Sequence, residues 1–250
     1  MAAGSIIETR NLTKKYNGQT AVGDLSVTVR EGEIFGFLGP NGAGKTTTLL
    51  MLLGLTRPSS GAATVCGLDP VREAREVKRR VGYLPENVGF YGDLDAVESL
   101  DYVANLNGIP REDIPDRIEE VLDLVGLKED VRKKVGAFSR GMRQRLGVAE
   151  VLIKEPEVLF LDEPTLGLDP DGALRLIDLI AQLNREREIT VLLSSHHLHQ
   201  VQKICHRVGI MINGKMVAAG SIESLAEEKF GVGDKQYSLE EIYLKYFQEG

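Results

Sequence analysis

The feature that most constrains this chain is the octet Gly39-Pro40-Asn41-Gly42-Ala43-Gly44-Lys45-Thr46. It follows an apolar run, Ile34-Phe35-Gly36-Phe37-Leu38, and precedes a helix-forming stretch from Lys45 to about Leu53. The spacing G-x-x-x-x-G-K-[ST] between a strand and a helix is that of a phosphate-binding loop. Glycines let successive backbone N–H groups curl around a phosphate, and the helix start adds partial positive charge. Asn41, Gly42 and Gly44 are therefore candidates for the cradle. Lys45 is placed to reach the β- and γ-phosphates, Thr46 to ligate Mg²⁺ and Thr47 to add a hydrogen bond. A glycine turn with a chance lysine would match neither flank.

Further along, Val81 to Leu84, Val158 to Leu161, Thr190 to Leu193 and Val208 to Ile212 are short apolar runs of the kind buried on both faces of a sheet. A helix is expected over Leu174 to Leu183, between two of them. This order predicts an α/β fold with much of its sheet parallel. Near the N-terminus, Ile6 to Thr9 and the alternating Leu25, Val27 and Val29 read as strands. Asn213-Gly214 marks a hairpin. From 88 to 140 the pattern turns helical, with capping-box spacing at Asp95 and Glu98 and apolar residues Ile114, Ile118, Val121, Leu122 and Val125. That stretch is either a helical lobe inserted into the core or two crossover helices of one continuous domain. After 220, a helix from near Ser221, a polar turn Gly231 to Lys235, and a capping box at Ser238 and Glu241 are expected.

Charge and cysteine content narrow the class. Lys+Arg is 30 and Asp+Glu is 37, a net charge of -7, so no overall basic field supports nucleic-acid binding. Two cysteines, Cys66 and Cys205, fit a reducing compartment better than a disulfide scaffold. No apolar run approaches the roughly 18 residues of a membrane span, and Met1 to Glu8 lacks the layout of a signal peptide. A cytoplasmic location is expected, with docking onto a membrane protein still open.

The second half of the candidate site is Val158-Leu159-Phe160-Leu161-Asp162-Glu163, an apolar strand ending in two acids. Asp162 is the natural partner of Mg²⁺, directly or through water, and Glu163 is placed to polarise a water attacking the γ-phosphate. Alone, this could be a solvated strand end. His196 follows another buried strand, and parallel strands gather their C-terminal ends where ligands bind. His196, His197 and His199 without neighbouring acids make a weak metal signal.

Together with Phe138-Ser139-Arg140-Gly141-Met142-Arg143-Gln144-Arg145, these motifs resemble, in order and over nearly the whole chain, the ATP-binding subunits of ABC transporters. The segment is similar to the family signature Leu-Ser-Gly-Gly-Gln; Ser139 can cap the following helix and Gly141 permits close approach to phosphate. The resemblance implies a P-loop NTPase core with a mostly parallel sheet, N-terminal antiparallel β elements and an inserted helical subdomain. One ABC domain would span 1–250, with 1–87 and 141–220 as core, 88–140 as signature subdomain and 221–250 as helical tail. It further implies ATP and Mg²⁺, a homodimer in which Ser139 and Gly141 cap the partner's γ-phosphate, and a separate polytopic permease touched by 88–140. Tyr16 matches the aromatic that stacks on adenine, although it could be an ordinary half-buried loop tyrosine. Leu168-Asp169 match the loop crossing the dimer interface, and Ser195-His196 the switch that senses γ-phosphate. The chain would sit on the cytoplasmic face of the membrane.

Three positions depart from the family pattern. Glu86, in Tyr83-Leu84-Pro85-Glu86, replaces a Gln that contacts Mg²⁺ and the attacking water and links the site to the helical lobe. A carboxylate accepts hydrogen bonds there but donates none. Arg140 and Met142 replace a Gly and a Gln; Arg140 either carries charge toward the partner's nucleotide or faces solvent. The wording resembles the branch paired with small six-helix permeases that mostly export, without selecting a cargo. The alternatives are a soluble ABC ATPase of translation or DNA repair, a regulatory nucleotide-binding module, or a phosphate-loop kinase. The single loop and signature, the intact Asp162-Glu163 pair and the signature itself weigh against them in turn. The amphipathic tail is expected to pack on the core rather than on anionic lipid.

Overall fold

The structure, a computed structural model, describes residues 4–231 and 237–249. The elements run β1 (Ser5–Tyr16), β2 (Gln19–Arg30), β3 (Ile34–Leu38), α1 (Lys45–Leu52), β4 (Ser60–Val65), α2 (Ala74–Arg80) and β5 (Val81–Leu84). There follow α3 (Ala96–Leu106), α4 (Ile114–Leu124), α5 (Arg140–Leu152), β6 (Val158–Asp162), α6 (Pro170–Arg187) and β7 (Thr190–Ser195). The chain ends through α7 (Leu198–Ile204), β8 (Arg207–Ile212), β9 (Lys215–Gly220), α8 (Ile222–Phe230) and α9 (Leu239–Glu249).

Two sheets result. β2, β1 and β4 form an antiparallel sheet with β1 in the middle. β5, β6, β7, β3 and β8 are all parallel, and β9 closes the edge antiparallel to β8. β3, β6 and β7 are buried at every position, as expected of strands covered on both faces. The β3 side chains split by pleat: Phe35 and Phe37 pack toward the antiparallel sheet and α1, Ile34 and Leu38 toward the helices beyond β5.

Local chemistry sets the element ends. Asp95 accepts from the Glu98 N–H at 2.9 Å while the Glu98 carboxylate accepts from Asp95 N–H at 2.7 Å, the expected capping box. Asn213 and Gly214 have φ of 50° and 79°, the paired positive values of a tight hairpin turn. Ser238 and Glu241 form their box too, with reciprocal bonds of 2.9 and 3.2 Å.

Several elements differ from expectation. β1 runs on to Tyr16 through register shifts against β2 and β4, where only Ile6 to Thr9 was read as strand. β4, rich in small residues, had no apolar pattern to announce it. α6 is longer than Leu174 to Leu183 because Pro170 suits a first helical turn. α5 begins at Arg140 and runs without a break past 141, and its core cluster joins helical-lobe residues such as Leu100 and Val121 to sheet residues such as Leu84 and Leu159. The tail packs on its own chain: Leu239, Ile242 and Tyr246 are buried, and the Leu239 N–H donates to Gln202 on α7 at 3.0 Å. Of the expected turn Gly231 to Lys235, all but Gly231 lies outside the described residues, as do Met1 to Ala3 of the N-terminus.

Candidate active site

The loop after β3 holds its shape because two glycines fit where no side chain would. A Cβ at Gly39 would lie 2.3 Å from the Met211 carbonyl, and one at Gly44, with φ of 101°, 2.6 Å from that of Ala21. Lys45 opens α1 and folds under the loop. Its ammonium donates to the Gly39 carbonyl at 2.7 Å and the Pro40 carbonyl at 3.3 Å.

β6 and β7 run in parallel register, with Asp162 beside Ser194. Asp162 Oδ1 accepts from Thr46 Oγ1 at 3.0 Å and from Ser194 Oγ at 2.5 Å. Glu163 then breaks the strand at φ of 46°, a left-handed conformation that is strained for a glutamate. That turn is pinned because the Glu163 N–H reaches both Ser194 Oγ (3.0 Å) and Ser194 O (3.2 Å). Glu163 Oε1 is 3.1 Å from Lys45 Nζ, an ion-pair contact outside hydrogen-bond geometry, and the two side chains are only 7% and 6% exposed. Glu163 Oε2 faces His196, accepting from its N–H at 3.3 Å and lying 2.9 Å from Nδ1.

Asn41, Gly42, Gly44, Lys45, Thr46, Thr47, Glu86 and Glu163 share one cleft of about 240 Å³, with Ala21 on its wall. Asp162 joins it through Thr46 and His196 through Glu163. Tyr83, one strand over, feels the same carboxylates: burial first, then Asp162 and Glu86, push its phenol up to about 12. Burial and the neighbouring His196 lower His197, with Glu163 opposing them.

The chain matches the ABC transporter family over residues 22–166. It belongs to that family, as an ATP-binding subunit. It is 46% identical over 213 residues to the bacitracin transport ATP-binding protein BcrA of Bacillus licheniformis, covering 85% of this chain and 69% of that protein. It is 36% identical to the linearmycin resistance ATP-binding protein LnrL of Bacillus subtilis (strain 168), over 90% of this chain and 72% of that one. The solved ATP-binding subunit of an ABC transporter superposes with a TM-score of 0.86 at 28% identity, covering 97% of this chain and 100% of its own.

The remaining expected residues of this ABC subunit are not among those that line the cleft. Ser139 caps α5, accepting from the Met142 N–H at 3.2 Å, and Gly141 has open space around it. Asp169 is the exposed N-cap position of α6 but makes no side-chain cap bond. Tyr16 ends β1 rather than sitting in a loop; it is 46% exposed, under the Lys14 ammonium at 4.7 Å from its ring centre. Arg140 follows neither alternative simply. It is exposed but its guanidinium lies over Gly167, where a Cβ would come within 2.4 Å of Cζ.

Ser194 was missed by sequence reasoning, although it binds both acids. The available signal was a hydroxyl ending an otherwise apolar strand, the position where parallel strands meet ligands. Among the described residues no group of three or more His, Cys, Asp and Glu side chains forms a metal cage. The paired oxygens of Thr46 and Asp162 nevertheless fit Mg²⁺, which keeps several waters and takes one or two protein ligands beside substrate phosphates.

Proposed function

We propose that this chain binds and hydrolyses ATP in the cleft at Lys45 and thereby drives a separate membrane permease. The observation that carries the reading is the convergence of Lys45, Thr46, Glu86 and Glu163 on one cleft, with Asp162 hydrogen-bonded to Thr46. Loop amides, Asn41, Gly42, Gly44 and Thr47 hold the phosphates, and Lys45 transfers its charge from Glu163 to them. Glu163, so released, orients a water and accepts its proton as the water oxygen bonds to the γ-phosphorus and the bond to the ADP oxygen breaks. When bound, Mg²⁺ would supply charge neutralisation for the phosphates; Thr46 and Asp162 are the residues that would hold it, with Glu86 in the same cleft. His196 senses the γ-phosphate while fixing Glu163, and Tyr16 stacks on adenine.

Each cleft is completed in a homodimer by Ser139 and Gly141 of the other copy, with Asp169 at the interface. The absence of Ser139 and Gly141 from the lining of their own cleft favours this arrangement. ATP joins the copies by charge-assisted bonds, and hydrolysis releases them. The segment 88–140 carries the movement to the permease, between core parts 1–87 and 141–220, with 221–250 as a tail against the core. No helix among the described residues is long and apolar enough to cross a membrane, which favours a peripheral subunit on the cytoplasmic face. Likeness to BcrA and LnrL, named for bacitracin transport and linearmycin resistance, favours an export-type permease of the small six-helix kind.

The deciding experiment is Glu163→Gln. Bound ATP should remain, turnover should fall by roughly 10²–10⁴-fold because an amide is a poor base, and ATP with Mg²⁺ should hold a dimer visible by sedimentation. Normal turnover would assign the water to another group. A turnover rate independent of protein concentration, with no ATP-held dimer in the variant, would sink the composite site.

A further inference from the structure

The backbone contacts already described hold Glu163 from the strand side only. Its N–H is pinned to Ser194, but the chain leaves it at φ of 46° and then turns twice in quick succession. The Leu166 N–H donates to the Glu163 carbonyl at 3.0 Å, and the Leu168 N–H to the Thr165 carbonyl at 3.2 Å. A strained backbone of this kind persists only where its surroundings over-determine it. The chain after Glu163 therefore needs a hold as firm as the one before it.

Thr165 supplies that hold. It is 4% exposed, and its hydroxyl donates to Gln200 Oε1 on α7 at 2.5 Å. This bond is the second of two rungs between the same two segments. The first joins Glu163 to His196 through Oε2. The second lies just past Glu163 on one side, and about one helical turn past His196 on the other. Its far end is well seated. The turn entering α7 is closed by the His197 N–H on Ser195 Oγ at 2.9 Å and by the Gln200 N–H on the His197 carbonyl at 3.1 Å. Beneath it, Val201 is buried against Gly36 of β3, where a Cβ would lie 3.0 Å from both Val201 Cγ1 and Cys205 Sγ. A glycine at that point of β3 lets α7 sit directly on the strand that leads into the phosphate loop.

We propose that Gln200 is a positioning residue for hydrolysis: through Thr165 it fixes the turn after Glu163, and so holds the Glu163 carboxylate between Lys45 and His196. The proposal rests on the ATPase reading above. Neither Thr165 nor Gln200 is among the residues lining the cleft, so both act through Glu163 rather than on nucleotide. Removing their bond leaves the phosphate cradle in place and frees the acid to shift, and a misplacement of about 1 Å costs up to roughly 10²-fold in rate.

The test is steady-state ATP hydrolysis and fluorescent-nucleotide binding of the full chain, both purified and in the membranes of its own cells. Thr165→Val keeps the shape and removes the hydroxyl; Gln200→Met keeps the length and removes the acceptor. Each should lower kcat about tenfold while nucleotide affinity stays within about twofold. The double variant should be no worse than either single one, as for two partners in one bond. Thr165→Ser restores the hydroxyl and should recover most of kcat. In a Glu163→Gln background, Thr165→Val should lower the residual rate no further, because it works through that acid. Parent-level kcat in Gln200→Met overturns the proposal, as does an equal loss of affinity and turnover, or Thr165→Ser behaving like Thr165→Val. Gln200 is only half-buried, so Gln200→Met decides the question even where Thr165→Val fails to fold. A parent chain that turns over no ATP in either setting overturns the ATPase reading itself. Turnover lost in Glu163→Gln but untouched in Gln200→Met removes the Thr165–Gln200 relay alone.

Discussion

The catalytic cleft and the hollow at Glu150 are both part-buried and both hold acid beside lysine, yet they are wired in opposite ways. In the cleft the buried charges answer one another: Lys45 pairs with Glu163, Glu163 with His196, and Asp162 accepts hydrogen bonds from the Thr46 and Ser194 hydroxyls. In the second hollow, between α3, α5 and β5, Glu150 has no such partner although Lys78, Tyr83, Asn107 and Lys154 share its lining, and Lys154 turns to a backbone carbonyl. The first arrangement keeps charged groups ready at fixed distances and exchanges partners when phosphate enters. The second leaves a partly desolvated acid that relieves its burial by holding a proton.

Removing Lys45 attacks the paired region most directly. Lys45→Ala strands Glu163 in a pocket where it is 7% exposed, and breaking such a buried pair costs about 3 kcal/mol or more. The expected result is a clear drop in the nucleotide-free melting temperature and loss of ATP binding in a fluorescent-nucleotide titration. Adding Glu163→Gln to Lys45→Ala should recover much of the melting temperature but none of the binding. If the single variant melts like the parent, the ion pair contributes nothing and the contrast between the two regions collapses.

Ser194→Ala probes the next tier. Asp162 loses one of two hydroxyl donors, and the Glu163 N–H keeps only the Ser194 carbonyl. Asp162 Oδ1 keeps Thr46 as a donor, so the loss is that of a net hydrogen bond, about 0.5–1.5 kcal/mol. Since Ser194 positions both acids without facing phosphate, kcat should fall about tenfold or more while nucleotide affinity changes little. Equal losses in both would show that the loop, not the acids, had moved.

The legibility of the two regions in sequence differs for the same reason. Gly39 to Thr46, the Asp95–Glu98 box and the Asn213-Gly214 turn are local patterns whose physics lies within a few residues, so spacing alone exposes them. β6 with Asp162 and Glu163 was legible only beside the loop at Lys45, since an apolar run ending in acids could by itself be a solvated strand end. Ser194 depends on which strand lies beside β6, and that neighbour is 32 residues away. The Arg140 contact with Gly167 and the seat of α9 on α7 are likewise set by tertiary approach. β4 pairs through backbone alone along Gly61, Ala62 and Ala63, leaving no side-chain period to read.

In the unpaired region the test is pH. The Glu150 carboxyl titrates near 7 when folded and near the usual 4.3 when unfolded. Below both values the group is protonated in either state and costs nothing. As pH rises from about 4.3 to 7 the unfolded chain releases its proton first, so stability falls across that window and then levels off. The full difference is on the order of 3 kcal/mol. Glu150→Gln should therefore stabilise the isolated chain at pH 8 and leave it nearly unchanged at pH 4.5, measured by urea unfolding. A pH-independent effect would mean that the acid is solvated in the folded chain, and the contrast with the cleft would fail.

Glu86 is where the two regions touch, and its replacement should give the smallest effect. It lies in the cleft beside Glu163, at the end of the strand that carries Tyr83 into the hollow. A carboxylate there adds negative charge next to phosphates but accepts from water held by Mg²⁺, whereas an amide brings a donor and no charge. Glu86→Gln should shift the Mg²⁺ concentration for half-maximal hydrolysis by a few-fold and relieve part of the upward push on Tyr83, visible as a lower phenol titration midpoint. The coupling role should survive, so permease-stimulated turnover should persist. Were Mg²⁺ dependence and hydrolysis rate both unchanged, Glu86 would be a bystander, and the link between cleft and hollow would have to run through the backbone of β5 alone.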